Sequence, residues 1–341
     1  MPTVKNQTLK VREVLCKNII GKCGFPGGGW AINPYVGCEH GCLYCYARFI
    51  KRFTGHTERW GSFVDIRVNC VDILKKQIKQ VKYRSGQIYI GTVTDPYQPL
   101  EQKYQLTRGM LDILMHYPVS VSILTKSSLV LRDCDLLLQL QDVDVNFTIN
   151  TLDEEWKARV EPHSSSIQER LETAKILAKN GIKVNAMLGS FWPVFTDVEA
   201  LFKKFKEAGM QHVFSESFNT SSGNFTQVEE VLKRFYPNQK QNFKSLLFDR
   251  RKFDQFYFKR AKTAPQCGVD EAITTRAKHA TWANQKTASL CSSDFYTKAS
   301  LAIANASEKY QIPSTVYFLR AKYSGREQKK IHERQAHGDS F

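Results

Sequence analysis

A chain of 341 residues, 42% of them apolar, is long enough for one large domain with its own core plus an extension. Its 49 Lys and Arg against 33 Asp and Glu leave a net charge of +16, most of it in residues 231–341, which hold 21 cations against 9 anions. No apolar run approaches the ~18–20 residues of a membrane span, the first residues lack a secretory apolar core, and nine cysteines without paired spacings exclude a disulfide framework, so the expectation is a cytoplasmic protein with no membrane partner.

Residues 1–29 form a polar lead-in, where Cys23-Gly-Phe-Pro-Gly-Gly-Gly29 suits neither helix nor strand. Trp30 to Val36 reads as a first strand. Asn69 to Val81 places Val71, Ile73, Leu74, Ile78 and Val81 near helical periodicity, and Gln87 to Val93 is a short β-branched strand. Tyr104 to Tyr117 predicts a helix, Val119 to Leu124 a strand, Val130 to Leu140 a helix and Val143 to Ile149 a strand. A helix over Ile167 to Lys179 ends at Gly181, a C-cap residue. Ile182 to Leu188 is a strand, Asp197 to Ala208 a helix, and Gln211 to Phe214 a sixth strand. Six strands alternating with helices predict a parallel α/β sheet with right-handed crossovers. Periodicity does not choose between a doubly wound open sheet and an incomplete barrel.

The pattern changes at Ser221-Ser222-Gly223-Asn224, which sets a boundary between a core at 30–220 and a basic, mainly helical extension at 221–341. A concentrated positive field attracts polyanions, nucleic acid first among them. Around residues 244–262 the extension interleaves Phe243, Phe248, Phe253, Phe256, Tyr257 and Phe258 with Lys and Arg. Such a stretch can stack on exposed bases while its cations meet phosphate, or it can dock an apolar helix face on the core. Residues 322–341 are polar and expected to fray.

The chemistry concentrates in Asn33-Pro-Tyr-Val-Gly-Cys38-Glu-His-Gly-Cys42-Leu-Tyr-Cys45-Tyr-Ala-Arg48. Three thiols at C-x3-C-x2-C spacing are soft ligands, suited to zinc or an iron–sulfur cluster. A structural zinc needs four ligands, and His40, inside the first spacer, reaches the same metal only under strain. A [4Fe–4S] cube usually takes four cysteines; with three, one iron keeps a position open for the amino and carboxylate groups of S-adenosylmethionine. Cys16, Cys23, Cys70, Cys134, Cys267 and Cys291 form no comparable group. They read as small hydrophobes, with a second cluster on Cys16, Cys23 and a distant partner as the alternative.

This string resembles the radical S-adenosylmethionine superfamily and, within it, the spore photoproduct lyase-like (DNA repair photolyase-like) proteins, over roughly residues 11 to 220. The resemblance implies a partial (β/α)6 barrel, a [4Fe–4S] cluster on Cys38, Cys42 and Cys45, and S-adenosylmethionine cleaved reductively to methionine and a 5′-deoxyadenosyl radical that abstracts hydrogen. Barrels of this kind place their chemistry at the strand C-termini. Here those are Thr94-Asp95, Thr125-Lys126-Ser127, Asn150-Thr151, Gly189-Ser190 and Ser215-Glu216. By the same resemblance Thr94 contacts the methionine moiety, Lys126 pairs with the cofactor carboxylate through a charge-assisted bond, and Thr148 lines the pocket. Tyr44 presents its backbone to adenine, and Tyr46 takes part in returning a hydrogen atom. Glu161-Pro162 and Arg170 recur in the family as an ion pair, a helix start or a catalytic element. An electron donor of the flavodoxin or ferredoxin type is implied.

One position departs from the family. The lyase's hydrogen-donating cysteine aligns with Thr92, whose O–H bond is too strong to give up a hydrogen atom readily. The expected function is therefore hydrogen abstraction from a nucleic acid or nucleotide other than spore photoproduct. The alternatives are radical chemistry on a protein or peptide, and a non-enzymatic, metal-stabilised nucleic-acid-binding module.

Overall fold

In a computed structural model that describes residues 8–25, 28–84, 86–192, 194–216, 218, 224–248 and 293–317, two sheets carry the fold. The strands are β1 (Lys10–Val14), β2 (Ile20–Lys22), β3 (Trp30–Ile32), β4 (Tyr35–Gly37), β5 (Phe63–Arg67), β6 (Gln87–Ile90), β7 (Ser120–Thr125), β8 (Asp142–Thr148), β9 (Lys183–Gly189), β10 (His212–Glu216) and β11 (Ser314–Tyr317). The main sheet runs β11-β10-β9-β8-β7-β6-β3-β2, and β1-β5-β4 forms a small second sheet. Among the described residues, only β2 and β3 pair antiparallel in the main sheet; from β3 to β11 its neighbouring strands are parallel. Among the described residues its two margins, β11 and β2, do not pair with each other, so the sheet is open there.

The longer helices are α1 (Cys70–Gln77), α2 (Leu106–Leu114), α3 (Glu154–Val160), α4 (Ile167–Lys179), α5 (Val198–Glu207), α6 (Asn224–Phe235), α7 (Pro237–Phe248) and α8 (Ser293–Tyr310). Their starts follow from local chemistry. Asp153 and Asp197 cap α3 and α5, and Ser166 with Glu169 forms a capping box on α4, together satisfying amides that a helix leaves unpaired.

Alternation along the strands separates two environments. Val121, Ile123, Val145, Phe147, Val184, Ala186, Leu188 and Val213 are fully buried. The opposite face is polar: Asn146 Nδ2 donates to Ser122 Oγ at 2.9 Å, and Asn185 Nδ2 donates to Asn146 Oδ1 at 3.2 Å. That polar face rises to the strand C-termini.

All six strands expected from the sequence are present, in order and parallel, with two differences at the margins. The first strand splits. Pro34 has no N–H for a ladder, and Asn33 is engaged elsewhere, its Nδ2 donating to Thr92 Oγ at 2.9 Å and its Oδ1 accepting from Val93 N at 3.0 Å. The chain therefore leaves β3 after Ile32 and re-enters the small sheet as β4. At the other margin β11 adds a parallel strand drawn from beyond residue 220, preceded by α8, which packs on α5. The helix expected over 130–140 is a 3-10 turn followed by one helical turn, Cys134–Leu137. Phe243 of α7 is fully buried against Trp156, Trp192 and Phe195, which is the docked-helix arrangement. Phe253, Phe256, Tyr257, Phe258 and residues 322–341 lie outside the described residues. Among the described residues, no helix is long and apolar enough to cross a membrane.

Candidate active site

Gly37 closes β4 with a φ of +91°, and a Cβ there would sit 2.4 Å from the Phe63 carbonyl oxygen. This close backbone approach launches the cysteine loop. Inside the loop, Gly41 N donates to Cys38 O at 3.3 Å and Cys45 N donates to Cys42 O at 3.2 Å. From outside, Leu43 N reaches Val160 O at 2.9 Å, and Glu39 bridges to the turn after β6, accepting from Leu100 N at 2.6 Å. Arg48 folds back over the loop, donating to the carbonyls of Cys45 at 3.1 Å and Leu43 at 2.5 Å. The loop's carbonyls are thus held in place before any ligand arrives.

Cys38 and Cys42 are buried, Cys45 is half-buried, and none is in a disulfide. Burial holds all three thiols above their ordinary pKa, and Lys126 opposes that rise at Cys42 and Cys45. Burial in turn works against the Lys126 charge, but Cys42, Glu161, Cys45 and Asp95 outweigh it and hold the ammonium above its usual value. Lys126 also lies over the Tyr44 ring, 5.7 Å from its centroid. The strand-end lysine and the thiols therefore share one electrostatic environment.

Asp95 ties the rim together. It accepts from Tyr97 N at 2.9 Å, Thr125 Oγ1 at 2.8 Å and Lys126 N at 2.8 Å, and His40 Nδ1 stands 3.3 Å from its Oδ2. Burial penalises this carboxylate, yet His40 and the two amides hold it down at about 2. His40 is thus turned to Asp95. Sequence reasoning found the strand-end position of Asp95 but not its role, because the donors come from three separate segments.

The remaining expected residues divide by what their side chains do. Thr94 donates its hydroxyl to Gly37 O at 2.5 Å and accepts from Gln98 Nε2 at 3.2 Å, which locks the β6 turn to the start of the cysteine loop. Thr148 ends β8, one residue past the Thr125–Phe147 pairing, its carbonyl accepting from Arg170 Nη1 at 2.7 Å. Tyr44 points inward: its hydroxyl donates to Glu161 and accepts from Asn150 Nδ2 at 3.0 Å, and its ring meets Trp192 edge-on. Tyr46 donates its hydroxyl to the Thr92 carbonyl, and Thr92 Oγ accepts from Asn33. Glu161 and Arg170 form a buried ion pair. Glu216, at the end of β10, is a rim carboxylate raised by burial and lowered in part by Lys126.

The donor set discriminates between metals. A single structural zinc takes four ligands, and His40 Nδ1 is turned to Asp95 Oδ2 at 3.3 Å rather than toward the three thiols. A cube places each thiolate on a different iron, and three thiols on one braced loop, two buried and one half-buried, with Lys126 in the same electrostatic environment, fit that demand.

The profile of the radical SAM superfamily matches residues 32–199. An uncharacterized protein of Methanocaldococcus jannaschii is 36% identical over 201 residues, covering 59% of this chain and 75% of that one. A radical SAM Nalpha-GlyT isomerase of Pseudomonas phage M6 is 24% identical over 220 residues, covering 63% of this chain and 45% of that one. Among solved structures, a spore photoproduct lyase double mutant with bound AdoMet and dinucleoside spore photoproduct aligns with a TM-score of 0.57 at 15% identity. That alignment covers 91% of this chain and 82% of the lyase, a likeness of fold.

Proposed function

The chain belongs to the radical SAM superfamily, and from that premise we propose that it abstracts hydrogen from a nucleic acid or nucleotide. It has the partial (β/α)6 barrel of that superfamily, and its cofactors are a [4Fe–4S] cluster and S-adenosylmethionine. When bound, they supply a 5′-deoxyadenosyl radical. In this proposal Cys38, Cys42 and Cys45 hold the cluster, the Lys126 ammonium meets the cofactor carboxylate, and Thr148 and the Tyr44 backbone line the pocket. Thr94 acts by fixing the loop that carries Cys38. Tyr46 and Thr92, joined by the Tyr46 hydroxyl on the Thr92 carbonyl, are assigned here to the step that quenches the product radical, and Thr92 offers no thiol for it. A reaction other than the lyase's follows from this substitution. A flavodoxin- or ferredoxin-like electron donor belongs to the same proposal.

The observation that carries the nucleic-acid reading is a fold shared along most of the chain with an enzyme solved holding a dinucleoside. The net charge of +16 supports it. The test is anaerobic incubation of reduced, cluster-loaded protein with S-adenosylmethionine and deuterated single-stranded DNA, duplex DNA, RNA, nucleotides or peptide. Deuterium should pass into 5′-deoxyadenosine from a nucleic acid or nucleotide. Transfer from peptide alone would reject the reading.

A further inference from the structure

Directly after Cys45 the chain makes a 3-10 turn, Tyr46–Ile50, and one helical turn, Lys51–Thr54. Three aromatic rings lie on it at positions 46, 49 and 53. Tyr46 and Phe49 are near parallel, at 18° with centroids 6.5 Å apart, and Phe53 meets Phe49 edge-on at 6.3 Å. Tyr46 is 39% exposed and Phe53 77% exposed, unusual for rings in mutual contact. The series begins at the candidate site, where the Tyr46 hydroxyl donates to the Thr92 carbonyl, and runs outward to solvent.

Its charge is one-sided. Residues 46–61 contain Arg48, Lys51, Arg52 and Arg59 against a single acid, Glu58. Glu58 is engaged by Lys10 at 2.6 Å and by His56 at 2.9 Å. Arg52 and Arg59 are exposed, and among the described residues neither has an ion-pair partner.

We propose that Tyr46, Phe49 and Phe53 form a stacking ladder for unpaired bases of single-stranded nucleic acid, with Arg52 and Arg59 on its phosphates, leading the strand to the radical site. The proposal rests on the nucleic-acid reading above and names the surface that would serve it. Cations alone suit any polyanion; ring faces add a term that only exposed bases satisfy, and a duplex keeps its base faces covered. The ladder belongs to residues 46–59, outside the basic extension in sequence, and Arg48 beside it donates to Gln227 of the extension at 3.3 Å.

The test uses full-length, cluster-loaded protein and the anisotropy of a labelled oligothymidylate, with duplex DNA and polyglutamate as competitors. Phe53→Ala should weaken single-strand binding roughly 5- to 150-fold, the range of ~1–3 kcal/mol for one stacked base, with the salt dependence unchanged. Phe53→Trp should restore it. Arg52→Glu should lower the salt slope by about 0.7 per lost phosphate contact. Phe53 is solvent-exposed, and matching iron content and circular dichroism verify that each variant folds. If the parent binds the oligonucleotide and Phe53→Ala binds it equally, the ladder is wrong while the nucleic-acid reading stands. If the parent binds no nucleic acid, both fail. Displacement by polyglutamate at the same charge concentration would reduce the surface to a plain cationic patch and overturn the proposal.

Discussion

Arg170 Nη2 and Glu161 Oε2 lie 2.5 Å apart, with side chains 1% and 3% exposed. The pair is heavily bonded: Arg170 also donates to the Thr148 and Ser165 carbonyls and to Ser164 Oγ, while Glu161 accepts the Tyr44 hydroxyl. A buried charge pair thus anchors the aromatic residue that precedes Cys45, and links it to the end of β8.

Breaking that pair should be costly. Arg170→Met strands a buried carboxylate, a loss of ~3–5 kcal/mol; Glu161→Gln strands the guanidinium and should cost a similar amount. Burial alone would raise the Glu161 carboxyl, but Arg170, Lys126 and the Tyr44 hydroxyl bring it down to about 2. A depressed carboxylate stabilises the fold fully above its unfolded value of about 4.3 and loses that contribution as pH falls toward 2. Urea titrations should therefore show the parent well above Glu161→Gln at pH 7, with the gap narrowing below pH 4. A gap independent of pH would contradict the assignment.

The thiols should separate cleanly by role. Replacing Cys38, Cys42 or Cys45 with Ala should abolish cluster loading, measured as iron per chain after anaerobic reconstitution. Cys16→Ser and Cys134→Ser should load as the parent does. A Cys42→Ala protein with full iron content and undiminished cofactor cleavage would refute the ligand set.

Lys126→Met removes the cation opposite the thiols without removing its aliphatic bulk. Loss of a charge-assisted bond, ~1.5–3 kcal/mol, predicts roughly a tenfold to hundredfold weaker S-adenosylmethionine affinity by calorimetric titration. Iron content should stay at the parent's level. Equal affinity in the two proteins would place Lys126 outside the pocket.

Gly37→Ala probes how the loop is launched. A Cβ there would overlap the Phe63 carbonyl at 2.4 Å and its ring at 2.9 Å, at a φ that L side chains avoid. Because the obstacle is backbone of β5, relief requires parting β4 from β5. The variant should show a lowered melting temperature and poor cluster loading, whereas Gly21→Ala, with open space around it, should not.

The main strands were legible because Val121–Ile123, Val145–Phe147 and Val184–Leu188 alternate apolar and polar residues, the imprint of a sheet with one face against helices. Cys38, Cys42 and Cys45 were legible because their spacing is chemistry written locally. Asp95 was not, since its partners His40, Tyr97, Thr125 and Lys126 meet only after β4, β6 and β7 are assembled. The inward turn of Tyr44 was hidden for the same reason. The break between β3 and β4 was half visible: Pro34 signalled it, but the apolar residues of Trp30 to Val36 run through it. Ser314–Tyr317 is too short to show a period, and its partner lies far back in the chain.

Truncation after Glu230 should not yield a working core. It removes Leu232, Phe243, Ala299, Ile303 and Ile312, all buried, and uncovers Trp156 and Trp192. Size-exclusion chromatography should show aggregation. A monomeric, cluster-loaded fragment would instead make the extension a separate module.

The register that sets Thr315 beside Phe214 spans roughly a hundred residues of chain. During synthesis, every residue through β10 leaves the ribosome before its neighbour exists, so for many seconds at ~5–20 residues per second β10 waits as a bare edge. Unpaired edges recruit other strands. Overproduction in a host that translates slowly or lacks holding chaperones should therefore favour inclusion bodies, and a stop codon anywhere before Ser314 leaves that exposed seam permanent.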